Sequence, residues 1–295
     1  MAKEQTRPRI SFDEAAILKK CEEKGITSID DFNALFPKDF DGVFPDFPDG
    51  QPDLPDELEI HAKNLLVLGD IHITSHDNTA LAAAVNYGRQ QNVDTILLNG
   101  DIMDFPTISR FRSKLTAPTV MQEVKLAGEF LSWLRRAFPS AKIIFKKGNH
   151  DERLENYIID HAAKLDGLAN LNDLLRLSEH GIIAAEDLQL IKCGNLYLYH
   201  GHEFRRGGIH FAHNILHAAM TNVAVNHFHR TQYAAGRTLS GKDVACWGIG
   251  CLCILNKAYK PFSKEPPNHG FAVIRFENSG DFEFQNKRII YGKVV

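Results

Sequence analysis

Apolar residues in the middle of the chain gather in short runs that stop abruptly at chemically active residues. Residues 64–68 run into Gly69-Asp70, residues 95–98 into Asn99-Gly100-Asp101, and residues 142–145, through Lys146-Lys147, into Gly148-Asn149-His150. Runs of four or five aliphatic residues bounded by turn formers are too short for buried helices and predict buried strands. Between them the period changes. Residues 79–91 form an alanine-rich helical stretch, and Val120, Val124, Ala127, Leu131 and Leu134 recur at helical spacing until Pro139 stops the pattern. Strand and helix in alternation predict βαβ units around a buried sheet, and such sheets collect chemistry at the carboxyl ends of their strands.

Further along, residues 196–199 read as another strand, ending at His200, and residues 209–225 as a helix that delivers His227 and His229 on a loop. The alternation around His229 is too weak to predict a strand there. Cys251 and Cys253 lie among Trp247, Leu252, Ile254 and Leu255, which predicts a buried strand. Their spacing is too close for an ordinary disulfide or a zinc-ribbon knuckle. Residues 271–276 and 282–291 alternate like the two arms of a hairpin across Asn278-Ser279-Gly280-Asp281.

The residues at the ends of these runs form five motifs: Asp70-Ile71-His72, Gly100-Asp101-Ile102-Met103-Asp104, Gly148-Asn149-His150-Asp151, His200-Gly201-His202 and His227-Phe228-His229. Carboxylate, amide and imidazole donors with no thiolate among them suit Mn, Fe, Zn or Ni better than a structural zinc. Singly, each has an ordinary explanation, Asp-x-His as a surface pair and Gly-Asn-His-Asp as a turn. All five in order at successive strand ends point to a metal site.

In this order the motifs resemble the calcineurin-like metallophosphoesterase superfamily, whose pattern is D-x-H, G-D-x-x-D, G-N-H-[DE], a lone His and G-H-x-H. The match spans residues 65–230. One position departs: Asn226 stands where the family has the Gly of its last motif, which affects a turn residue and not a ligand. The resemblance implies an α/β fold, a four-layer α/β/β/α sandwich with a small helical N-terminal appendage, whose last strands complete the second sheet. It also implies two divalent cations, manganese first, with iron, zinc or nickel as alternatives. Asp101 would bridge them, with Asp70, His72 and His229 on one and Asn149, His200 and His227 on the other. A bridging carboxylate holds such cations about 3.5–4 Å apart, so that a hydroxide between them can attack phosphorus. His150 would assist the leaving oxygen, for which an imidazole of ordinary pKa about 6.5 is suited. Asp104 would fix that imidazole's tautomer, although Asp104 before Pro106 also reads as a simple helix cap.

Phosphate recognition calls for further cations, guanidinium groups above all. Arg153, one turn past His150, is the first candidate, followed by Arg110, Arg112, Lys114, Arg205 and Arg206, with His202 as a further substrate contact. Phe105 occupies the place of an Arg in the Ser/Thr protein phosphatases of the superfamily, which argues against that branch. His210, His213 and His217 share one face of the predicted helix, as a lid or as a plain exposed face. The expected activity is hydrolysis of a phosphodiester in a nucleotide or nucleic acid. A phosphomonoesterase is the alternative, and a catalytically silent metal-binding scaffold the alternative of another class.

The first sixty residues are different. Residues 12–24 read as a helix with a capping box from Ser11 to Glu14, residues 27–35 as a second, and residues 37–55 as an extended linker rich in Pro, Asp and Phe. This predicts an arm and linker over residues 1–57 and a catalytic domain over residues 58–295. Packing of the arm through Phe36, Phe40, Phe44 and Phe47 is favoured over recognition of nucleic acid. In a chain of 295 residues, the net charge of -3 and pI near 6.5 give no overall basic field, so affinity for nucleic acid would need a local patch. Five cysteines without framework spacing indicate a reducing compartment. The polar start and the absence of a long apolar stretch predict a cytoplasmic protein without a membrane span.

Overall fold

The computed structural model describes residues 23, 25, 55–110, 117–204, 207–255 and 266–295. The chain divides into two units, Met1–Pro52 and Asp53–Val295. Both sheets and the helices that cover them belong to the second unit; the arm helices and most of the linker lie outside the described residues.

The three apolar runs form β2 (Asn64–Leu68), β3 (Thr95–Asn99) and β4 (Lys142–Lys146), adjacent and parallel. Between their polar end residues they are apolar on both faces, because each face meets a different layer. Leu66 and Leu68 pack towards α1 (Asn78–Gln90) and α2 (Val120–Ala137), while Leu65 and Val67 pack against a second sheet. Both helices start on side-chain caps: Ala80 N donates to Asp77 Oδ1, and Thr119 with Gln122 forms a capping box.

β5 (Ile182–Ala184) continues this sheet on one side. On the other side lies the predicted hairpin, β11 (Gly270–Phe276) and β12 (Phe282–Ile290), edged by β13 (Lys293–Val294). The hairpin therefore extends the first sheet, where the resemblance put it in the second. The reason is visible in β11, whose Phe271 and Val273 join the helix-side core while Ala272 and Ile274 join the core between the sheets. A strand apolar on both faces belongs beside β2.

The second sheet runs in the order β1 (Leu58–Ile60), β6 (Ile191–Cys193), β7 (Leu196–Tyr199), β8 (Val223–Val225), β10 (Asp243–Gly248) and β9 (Gln232–Arg237). Its outer face carries α5 (Phe211–Ala219) through Phe211, Ile215 and Leu216 against Val223, Val225 and Val244. The layers are thus α/β/β/α. Two short helices, α3 (Arg153–Ala162) and α4 (Leu171–Leu174), follow β4.

Three local expectations are corrected. The helix read across residues 209–225 ends at Ala219, Met220 takes a left-handed φ of 50°, and Val223 and Val225 enter β8, where β-branched residues fit between β7 and β10. A strand, β9, does follow His229, but it is an exposed edge of small and polar residues and carries no apolar alternation. Cys251 and Cys253 are buried without forming a strand, held by isolated bridges to His269 and His76.

α2 also buries a carboxylate. Glu123 Oε2 accepts from Phe105 N at 2.8 Å, fixing the left-handed turn at Phe105 (φ 45°). Burial pushes its pKa from 4.5 up to about 7. Since the folded value is the higher one, the stability associated with this group is present below pH 4.5 and is lost as pH rises to 7. Glu123→Gln should therefore melt several degrees above the wild type at pH 8 and show no such gain at pH 4.5. A pH-independent difference in thermal melts would remove this explanation.

Candidate metal centre

Each of the five motifs leaves the carboxyl end of a strand, β2, β3, β4, β7 or β8. The strands are parallel within each sheet, so the motifs meet at one end of the sandwich. There the chain turns sharply, and Asp70, His72, Asp101, His227 and His229 all hold left-handed φ angles between 50° and 65°. For residues bearing a Cβ this is strained and is maintained by the surroundings. Asp70 N donates to Gly100 O and His72 N to Asp101 O, which lock the first motif to the second, and His227 N donates to Asp70 Oδ2 at 2.9 Å. Gly148 is required by close approach, since a Cβ there would lie 2.4 Å from Asp101 Oδ1.

Two groups of donor atoms result. In the first, His72 Nε2 lies 3.1 Å from His229 Nε2, 3.7 Å from Asp101 Oδ2 and 3.9 Å from Asp70 Oδ1, and His229 Nε2 lies 3.4 Å from Asp70 Oδ1. In the second, His200 Nε2 lies 3.3 Å from Asp101 Oδ2, and His227 is within reach of both. Asn149 Oδ1 and His227 Nδ1 are buried with no hydrogen-bond partner among the described residues. Asp101 Oδ2 belongs to both groups, while Oδ1 accepts from His150 N.

These residues fit divalent cations. Donors about 3–4 Å apart around a common point are what ligands at roughly 2.0–2.2 Å from a cation produce. His200 Nδ1 donates to Asn99 O at 2.9 Å, which turns Nε2 towards the Asp101 carboxylate, where a cation would take the place of a proton between them. The electrostatics agree. Burial would raise Asp101 and Asp70, but the neighbouring imidazoles, His200 and His229 foremost, hold both below the usual carboxylate range. Conversely, burial would lower His200, and Asp101 outweighs it, lifting the imidazole to about 10; Asp70 likewise lifts His229. Burial and the nearby His200 push His227 down to about 4. The centre attracts positive charge and supplies one ring already stripped of it.

Asp104 is not a helix cap. Its Oδ1 lies 3.2 Å from His150 Nδ1 and 3.3 Å from His72 Nδ1, and Oδ2 accepts from Ser75 Oγ. On the other side of the His150 ring, Arg153 donates to Nε2 at 2.8 Å, while its second arm donates to Asp104 O. His202 stands between Glu152 and Glu203, each 3.4 Å away, with its ring 5.4 Å from that of His200. Arg110 is 88% exposed, pairs with Asp160 at 3.6 Å and lines a cavity that also touches Asn149. Arg112, Lys114, Arg205 and Arg206 lie outside the described residues, and His213 and His217 are exposed, with ring centroids 4.5 Å apart and planes tilted by 57°.

Three residues play parts that the sequence did not reveal. Asp151, buried, accepts from Gly148 N, Met103 N and Ile102 N, tying the second motif to the third. Asn226 does more than open the turn in which its carbonyl accepts from Phe228 N: its buried Oδ1 accepts from Asn99 Nδ2, and left-handed geometry falls on His227 and His229. Cys253 Sγ lies 3.7 Å from His229 Nδ1, placing sulfur behind an imidazole of the first group. The first was concealed in a motif that also reads as a turn; the other two depend on contacts across the fold.

The profile of the calcineurin-like phosphoesterase family matches residues 63–249, which contain every one of these donors. The chain belongs to that family. Among its relatives, the gene 54 protein of Mycobacterium phage L5 is 28% identical over 233 residues, covering 72% of this chain and 89% of its own length. The gene 54 protein of Mycobacterium phage D29 is 27% identical over 204 residues, or 64% and 74% of the two chains. Among solved structures, Vps29 of Chaetomium thermophilum superposes with a TM-score of 0.42 at 11% identity, over 79% of this chain and 94% of that one. The nuclease MPE of Pseudomonas putida gives 0.33 at 12% identity, over 75% and 87%. Among the described residues, no helix is long and apolar enough to cross a membrane.

Proposed function

We propose that this chain hydrolyses a phosphodiester, with a nucleotide or nucleic acid as substrate, at a centre of two divalent cations. Asp70, His72 and His229 would hold one cation, Asn149, His200 and His227 the other, and Asp101 would serve both. The observation that carries the reading is the sharing of one carboxylate oxygen, Asp101 Oδ2, between two groups of inward-facing donors. Cations bound there supply Lewis acidity towards a phosphoryl oxygen and bring water within reach of deprotonation near neutral pH.

The remaining side chains orient the ester. Asp104 fixes the His150 ring, and Arg153 adds a guanidinium beside the ring's outer nitrogen, so that the departing oxygen meets both a proton carrier and a positive charge. Preference for a diester is supported by space: a cavity of about 580 Å³ adjoins Asn149 and Arg153 and gives room for a second substituent on phosphorus.

The manganese-loaded full chain should release nitrophenol faster from bis-p-nitrophenyl phosphate than from p-nitrophenyl phosphate, with two metals per chain and loss of activity on chelation. Faster release from the monoester would make it a phosphomonoesterase. Two bound metals with neither ester cleaved would leave the scaffold reading.

A further inference from the structure

Beside the metal centre, the loop after β3 and the helix α3 enclose the cavity of about 580 Å³, within the roughly 300–1,000 Å³ usual for small-molecule sites. Arg153, Tyr157 and His161 line it from the helix, Ile108 and Arg110 from the loop, and Asn149 at the centre. We propose that this cavity takes the nucleobase of the substrate, stacked on Tyr157. The proposal rests on the phosphodiester reading for its direction, since an ester held by the donor groups would send one arm into the opening next to Asn149.

The residues follow a helical stripe. Arg153, Tyr157 and His161 are spaced i, i+4 and i+8 on α3, so they succeed one another at intervals of about 6 Å, the rise of four helical residues. The sequence along the stripe is a guanidinium beside His150, then an aromatic ring, then an imidazole. This is the order in which a nucleotide presents its phosphate and its base. Tyr157 is 41% exposed, and its ring stacks on that of His161, with centroids 4.2 Å apart and planes 20° from parallel. His161 is itself tied by Nδ1 to Tyr157 O at 3.0 Å, so the two rings form a stack fixed before any ligand arrives, which a base laid on Tyr157 would extend.

Charge decides what kind of group the surface suits. Arg110 is paired with Asp160, and Glu152, also in the lining, lies against His202. Among the described residues of the lining, two acids face two arginines, a balance that does not favour a second phosphate. A neutral aromatic ring stacks there at no electrostatic cost, and the Asn156 amide in the lining offers a donor and an acceptor to its edge.

The test compares adenosine 5′-monophosphate with ribose 5-phosphate, the same phosphate with and without a base, by calorimetric titration of the manganese-loaded full chain. The wild type should bind the nucleotide more tightly, Tyr157→Ala should weaken nucleotide binding roughly 5–150-fold, the range for losing one stacked base, and Tyr157→Phe should keep it. Ribose 5-phosphate should bind Tyr157→Ala as it binds the wild type, which also shows that the variant is folded. Equal affinity of the wild type for the two ligands, a preference that survives Tyr157→Ala, or a variant that loses both ligands alike would each overturn the proposal. A chain that prefers the nucleotide but cleaves neither nitrophenyl ester would sink the phosphodiesterase reading and leave the cavity standing. One that cleaves the diester but binds both ligands alike would do the reverse.

Discussion

Asp101→Asn should lose both bound cations and most of the hydrolysis together. Its Oδ2 lies 3.7 Å from His72 Nε2 and 3.3 Å from His200 Nε2, so a single atom serves both donor groups. An amide of the same shape keeps the position but carries no negative charge, and its nitrogen would offer protons to imidazoles whose lone pairs should face a cation. Loss of a partner outside the ligand shell typically lowers metal affinity about 10–100-fold; loss of the shared ligand should exceed that. Metal content by elemental analysis and nitrophenol release are to be measured on the same sample. Two cations retained with near-normal turnover would refute the bridging role.

His150→Ala should keep both cations and lower turnover roughly 10²–10⁴-fold, the usual effect of removing a positioned proton-transfer group. The structure makes this test sharper. With Nδ1 against Asp104 and Nε2 accepting from Arg153, Nε2 can serve a leaving oxygen as a proton donor only after the guanidinium turns away from it and the nitrogen takes up a proton from solvent. If that transfer occurs, the loss should be small for a nitrophenolate, which leaves without help, and large for an alkoxide. Equal losses for both leaving groups would rule out proton donation, and the His150–Arg153 pair would then act through charge alone.

The parts of the fold legible in the sequence were those whose burial is local and repetitive. β2 and β7 have the limits that their apolar runs indicate, and β3 and β4 exceed theirs by one residue, because strands covered on both faces are apolar throughout. The motif residues stand where those runs end. What escaped depends on partners distant in sequence. β9 has no apolar alternation because it lies on an edge, and the choice of sheet for β11 turns on which layers its two faces meet. No local pattern announces that Asp151 gathers three backbone N–H groups or that Asn226 reaches Asn99.

The left-handed backbone at Asp70, His72, Asp101, His227 and His229 has a consequence for how this chain tolerates change. A conformation of this kind costs on the order of 1–3 kcal/mol per residue unless the residue is Gly. Glycine at any of the five would relieve that strain while deleting a side chain of the centre. A library of variants sorted by heat resistance alone should therefore enrich glycine at His72, His227 and His229, whereas Asp70 and Asp101 also hold the backbone N–H groups of His227 and His150; one sorted by catalysis should restore the original residues. The disagreement between the two selections would trace the active centre without any knowledge of its substrate.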